Sequence, residues 1–256
     1  MKNRRFIALI LSILLSALLL TGCGKENKYV NVGVNMTTPG MSLYLTNVAN
    51  ELQKISTYVF FAESSEDSIE KISLDKQGID LSYLPAEDMD LITKDSDLFI
   101  VFVDCFNEDG SIQGVWVANN NWIENAPNYS YKYILGLVKS IDYRASHMNM
   151  TYQEALSSIQ GMRDYDFTEL TEVMQYNAVY AVSNDEELKD IPFEVVDAAK
   201  LASMFSDYEK GTGEGYDLCL EAYDRCCTSS DVKEFEAMFD FSLMNRALDE
   251  YLHPAE

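Results

Sequence analysis

Apolar Val30, Val32 and Val34 alternate with Asn31, Gly33 and Asn35, the period of a half-buried strand, and predict one over residues 29–36. Thr37-Thr38-Pro39-Gly40 then turns the chain. Leu45, Val48, Leu52 and Ile55 repeat at helical spacing and predict a helix over 41–55. A β-branched and aromatic stretch predicts a second strand over 57–62. Ser64-Ser65 offers an N-cap for a helix that turns Ile69 and Ile72 inward. A third short strand is expected over 78–84, and Pro85 opens a brief helix. The unbroken run LFIVFVDCF at 98–106 has the pattern of a strand buried on both faces. Asn107-Glu108-Asp109-Gly110 is a hairpin-type turn into a further strand over 112–118. Strands separated by helices predict a mostly parallel sheet, here with one antiparallel member.

Beyond about residue 124 the pattern becomes helical. Pro127 opens a helix running to about 145, with Ile134, Leu137, Val138 and Ile141 facing inward. Thr151 and Glu154 form a capping box for the next, and Asp166 with Glu169 resembles another. Pro192 precedes a predicted helix carrying Val195, Val196, Ala199, Ala202 and Phe205. Gly211, Gly213 and Gly215 form a breaker before a helix over 216–227, and segments 231–239 and 241–252 finish the chain. The expected architecture is α/β, with a lobe over 29–124 followed by a helical region over 125–256 that packs on it.

The amino end changes what counts as the folded chain. Lys2, Arg4 and Arg5 precede an apolar stretch of 15 residues, 6–20, broken only by Ser12 and Ser16. A membrane-spanning helix needs roughly 17–25 residues. A basic start, a short apolar core and small residues before a cut describe a secretory signal. Leu20-Thr21-Gly22-Cys23 resembles a bacterial lipobox, in which the cysteine thiol receives a diacylglycerol and becomes the new N-terminus. That implies a signal peptide over 1–22, lipidation at Cys23, a polar tether over 23–28, and a place on the outer face of the cell membrane. Two acyl chains anchor stably where one is marginal.

Removing residues 1–22 leaves 234 residues, enough for one large domain or two small ones. Hydrophobic residues make up 47% of the chain, enough for a sizeable core. The removed segment holds three basic side chains and no acidic one, which takes the formal charge from −23 to −26. So acidic a chain repels phosphate backbones and anionic headgroups. Nucleic acid is excluded as an expected partner, and an acyl anchor must work without electrostatic help. Cys105, Cys219, Cys226 and Cys227 remain beside Cys23. Cys219 and Cys226 lie two helical turns apart, roughly 10.5 Å, beyond the roughly 7 Å Cα limit for a disulfide. Small buried thiols are the expectation. No C-x-x-C occurs, and His147 and His253 lie far from the cysteines in sequence, so no zinc site is expected.

Several stretches carry a family resemblance: VNVGVN at 30–35, SSEDSIEKISLDKQGIDLSYLP at 64–85 and FIVFVD at 99–104. Later come GVWVANNNWIENAPNYSYKYILGLVKSI at 114–141, TYQEA at 151–155 and FDFSLMNRAL at 239–248. Together these resemble type II solute-binding proteins of the nitrate, sulfonate, taurine and thiamine-precursor group, which feed ABC importers. The resemblance implies a small polar solute and an ABC permease as partners. In that family a second α/β lobe precedes the return strand. Here a turn at 107–110 takes its place, so most of lobe 2 is expected to be missing.

Ligands meet open α/β sheets at the carboxyl ends of strands. The expected ligand-binding residues are Thr37 and Thr38 after the first strand, Ser64 and Ser65 after the second, and Ser82 and Tyr83 after the third. Trp122, with Trp116 near it, is placed to stack on a ligand or to pack in the core. No lysine or arginine lies between Asp95 and Tyr131, whereas six carboxylates do, which favours a neutral or cationic ligand over an anion. Enzymatic readings lack support. There is no Ser-His-Asp arrangement in plausible context, no G-x-x-x-x-G-K and no run of metal ligands. No catalytic residue and no cofactor are expected. The alternative is a non-catalytic relative that kept the fold, lost the cleft and acts as a protein-interaction module.

Overall fold

The computed structural model describes residues 29–34, 56–73, 78–146, 193–194, 196–228 and 233–254. The expected signal peptide, Cys23, the tether, Thr37, Thr38 and the helices expected over 41–55, 151 onward and 166 onward lie outside them.

The described residues form one six-stranded sheet in the order β2-β1-β3-β5-β4-β6. Its members are β1 (Tyr29–Val34), β2 (Ser56–Phe61), β3 (Leu81–Pro85), β4 (Leu98–Asn107), β5 (Ile112–Asn119) and β6 (Phe193–Glu194). β1 pairs in parallel with both β2 and β3, while β5 runs antiparallel to β3 on one side and to β4 on the other. Strands β1 to β4 therefore all point the same way, and β5 is the single reversed member over 29–119. The short reach of the turn explains the reversal. The Gly110 N–H donates to the Asn107 carbonyl at 2.9 Å and the Asn107 N–H to the Ser111 carbonyl at 2.8 Å. Gly110 takes φ 83°, a conformation that favours glycine.

Val101 to Phe106 of β4 are buried in succession, and successive side chains of a strand point to opposite faces, so the sheet is covered on both sides. Helix α1 (Ser65–Ile72) contacts β3 and β1, and α2 (Asn120–Asn125) leads from β5 into α3 (Pro127–Ser146). The remaining helices are α4 (Ala198–Phe205), α5 (Glu214–Cys226), α6 (Phe235–Met238) and α7 (Ser242–Leu252). α7 packs on α3 and β4, and α5 packs on β5 and on the 3-10 helix Ala86–Lys94. One continuous core runs from Val30 in β1 to Leu248 in α7. Rings fill its C-terminal part: Phe205, Tyr208, Tyr216, Phe235, Phe239 and Phe241 meet with centroids 4.9 to 5.9 Å apart.

Three expectations need correction. The third strand runs Leu81–Pro85 rather than 78–84, and Ser82 and Tyr83 lie inside it rather than in a loop after it. Pro192 does not lead straight into a helix. Phe193–Glu194 pairs antiparallel with Asn107 and Phe106, giving part of the open edge of β4 a backbone partner. The helix starts at Ala198, where the Asp197 carboxylate accepts from the Lys200 N–H at 2.7 Å. Finally, Gly215 lies inside α5 rather than in a breaker. A Cβ there would fall 2.9 Å from the Phe205 ring, so the missing side chain lets α5 approach α4. Gly211, at φ 71°, closes the one-turn 3-10 helix Tyr208–Lys210.

Candidate functional site

The carboxyl ends of β1 to β4 form one rim of the sheet, and the loop from β2 into α1 supplies its most developed polar group. Ser64 caps α1, its hydroxyl accepting from the Asp67 N–H at 3.2 Å. The Asp67 carboxylate reaches back to the Glu63 N–H at 2.8 Å and pairs with Lys71 one turn on. Ser65 is 5% exposed and donates to the Asp88 carboxylate at 2.5 Å. Asp88 lies in the 3-10 helix Ala86–Lys94 that follows β3, so this bond joins the ends of the second and third strands.

The electrostatics of this rim are settled by its acids. Glu66 is held below the usual carboxylate range by its own backbone N–H and by Ser64. Asp67 is lowered by Lys71 and by the Glu63 N–H. Three carboxylates, Glu66, Asp67 and Asp88, thus surround a helix N-terminus whose free N–H groups would otherwise favour an incoming anion. Among the described residues the Asp67 and Ser68 N–H groups are engaged within the loop itself, and the carboxylates here offer acceptors.

The other expected residues fall elsewhere. Ser82 is fully buried and donates to the Gly33 carbonyl at 3.1 Å, tying β3 to β1. Tyr83 is 1% exposed and packs edge-on against Trp116 with ring centroids 5.8 Å apart. Burial pushes its phenol well above the ordinary range, helped by Cys105 and Asp104. Trp122 is buried in α2, at the end of β5 that adjoins the start of β4, as the pairing of Asn119 with Leu98 shows. It therefore sits at the opposite end of the sheet from Ser64 and Ser65, and the two cannot wall one cleft. Its indole N–H is buried without a hydrogen-bond partner among the described residues. Core packing, not ligand stacking, explains both tryptophans.

Sequence reasoning passed over Asp104, a carboxylate 1% exposed in the middle of β4. It lies where the β4–β5 register slips, between Phe102–Trp116 and Cys105–Gly114. An acid interrupting an otherwise apolar run was the available signal. Asp88 was likewise passed over. Cys105, Cys219, Cys226 and Cys227 form no disulfide among the described residues, and all but the half-buried Cys226 are buried. Among the described residues no group of three or more His, Cys, Asp or Glu side chains is arranged to hold a metal ion, and no helix is long and apolar enough to cross a membrane.

No family model matches the chain, and no curated protein matches it in sequence. Solved structures do. The ligand-binding component of an ABC-type import system from Staphylococcus aureus, with zinc bound, aligns at a TM-score of 0.52 and 9% identity, covering 86% of this chain and 99% of that one. A protein from Bordetella bronchiseptica RB50 aligns at a TM-score of 0.51 and 8% identity, covering 89% of this chain and 99% of that one. At such identity the likeness is one of fold. The chain has the α/β fold of these proteins, with a central sheet, flanking helices and a largely helical C-terminal part.

Proposed function

We propose that the protein is a non-catalytic solute-binding lipoprotein that captures a small cationic or neutral polar solute outside the cell membrane and delivers it to an ABC permease. Support for the transport role comes from the fold shared with the Staphylococcus aureus import component, together with the signal-like amino end and Cys23. The single observation that carries the solute class is the Ser65–Asp88 bond at the strand ends, flanked by Glu66 and Asp67. It supports the neutral or cationic solute that the carboxylates between Asp95 and Tyr131 also favour over nitrate or sulfonate. The likeness spans 99% of the Staphylococcus aureus chain, which does not support a protein shortened by most of one lobe.

Thermal unfolding against amines, amino acids, pyrimidines, sulfonates and nitrate tests the reading. A true ligand at 100 times its Kd adds roughly 2.7 kcal/mol of stability. Amines or neutral polar solutes should raise the melting temperature, and Asp88→Asn should abolish the effect of the amines. Stabilisation by sulfonate or nitrate alone would reverse the solute class. No response at millimolar concentrations would remove the transport role. That outcome would favour the interaction-module reading, for which the burial of Ser82, Tyr83 and Trp122 already speaks. Mass spectrometry of the protein from membranes tests the anchor: a diacylated Cys23 at the amino end is expected, and an unprocessed Met1 would overturn it.

A further inference from the structure

We infer that Cys226, Cys227 and Met238 form a binding site for one soft monovalent cation of the Cu(I) or Ag(I) class. Cys226 is the last residue of α5 and Cys227 its C-cap; Met238 is the last residue of α6. The Cys227 Sγ lies 3.9 Å from the Met238 Sδ, both sulfurs belonging to buried residues. With metal–sulfur bonds of about 2.3 Å, two sulfurs sharing a three-coordinate ion sit about 4 Å apart. The two sulfurs are thus already spaced for a shared ion. Cys226, adjacent and half-buried at the helix end, is the third sulfur of the proposed site.

Thiolate and thioether donors together select Cu(I)-like ions over harder divalent ones. The two helices are fixed relative to each other, which holds the sulfurs in place. Tyr223 of α5 donates from its hydroxyl to the Lys233 carbonyl at 2.8 Å, and its ring meets Phe235 of α6 at 5.6 Å. On uptake each thiol gives its proton to solvent and its sulfur binds the ion; no oxidant or reductant is required. This site is separate from the proposed solute site and does not depend on it.

The test is Ag(I) titration of the full chain followed by native mass spectrometry, with Cys23→Ser in every variant so that its thiol cannot contribute. One tightly held ion per chain is expected. Cys226→Ser with Cys227→Ser should lose it, and Met238→Leu, which keeps the volume, should weaken it by at least the roughly tenfold that even a second-shell change costs. Cys105→Ser and Cys219→Ser should leave it unchanged. In the chain with its α5 cysteines intact, one equivalent of Ag(I) should protect Cys226 and Cys227 from alkylation while the folded state is retained. Absence of stoichiometric binding, uptake undiminished in the double variant, or unprotected Cys226 and Cys227 would overturn the site.

Discussion

The Tyr83 hydroxyl fills the space that a side chain at position 114 would need: a Cβ on Gly114 would lie 1.7 Å from it. Tyr83 cannot withdraw, because its ring is packed against Trp116 and fully enclosed in the core. Gly114→Ala should therefore destabilise the protein by about 3 kcal/mol, the upper end for overpacking a tight core. Tyr83→Phe should not rescue it, since the ring carbon behind the hydroxyl would still be 2.1 Å away. Denaturant titration of the two variants and the pair checks both statements.

Lys233 binds three backbone carbonyls at the entrance to β4: Leu98 at 2.6 Å, Asp95 at 3.0 Å and Ser96 at 3.3 Å. Burial lowers its pKa, while Asp95 and Asp97 act against that shift. Lys233→Met keeps the stem and removes the donors. The site is partly open to water, so the expected loss is about 1–2 kcal/mol. Amide exchange should speed up most at 95–98 and 233–239. An unchanged exchange pattern would show that the ammonium is not holding these segments together.

Asp80 predicts a pH effect of the opposite sign to that of most carboxylates. Burial raises its pKa to about 6, opposed only in part by the Asn31 N–H that it accepts at 2.7 Å. Below its ordinary value near 3.8 the group is protonated in folded and unfolded chains alike. Between there and about 6 the unfolded chain ionises first, so stability falls as pH rises, and above about 6 the loss is complete and constant. Asp80→Asn keeps an acceptor for Asn31 without the charge. It should be more stable than the parent at pH 7.5 by up to about 3 kcal/mol, with the difference shrinking toward zero at pH 4. Equal stability of the two at pH 7.5 would refute the shift.

The strands, their directions over 29–119 and the Ser64 cap were legible because each rests on local rules. Alternating valines, a continuous apolar run, a turn ending in Gly110 and a serine ahead of amphipathic residues all act within one or two turns of chain. Of the candidate site, the cap at Ser64 and the place of Ser65 at the start of α1 were legible, for the same reason. Ser82 and Tyr83 belong to the third strand, not to a loop after it, because they pair with Gly33, Val117 and Trp116 across the sheet, which no local pattern states. Trp122 was misplaced because its distance from Ser64 depends on how β5 returns across the sheet, which no local pattern states.

Periodicity and composition alone pointed to an α/β core and to a strongly acidic chain, since these follow from side-chain spacing and charge. Folding in three dimensions decided that β5 lies between β3 and β4, that Asp88 meets Ser65, and that Cys227 meets Met238. Those meetings join residues 11 to 37 positions apart, and long-range pairing is set by which surfaces can be buried together, a property of the assembled core and not of any one segment.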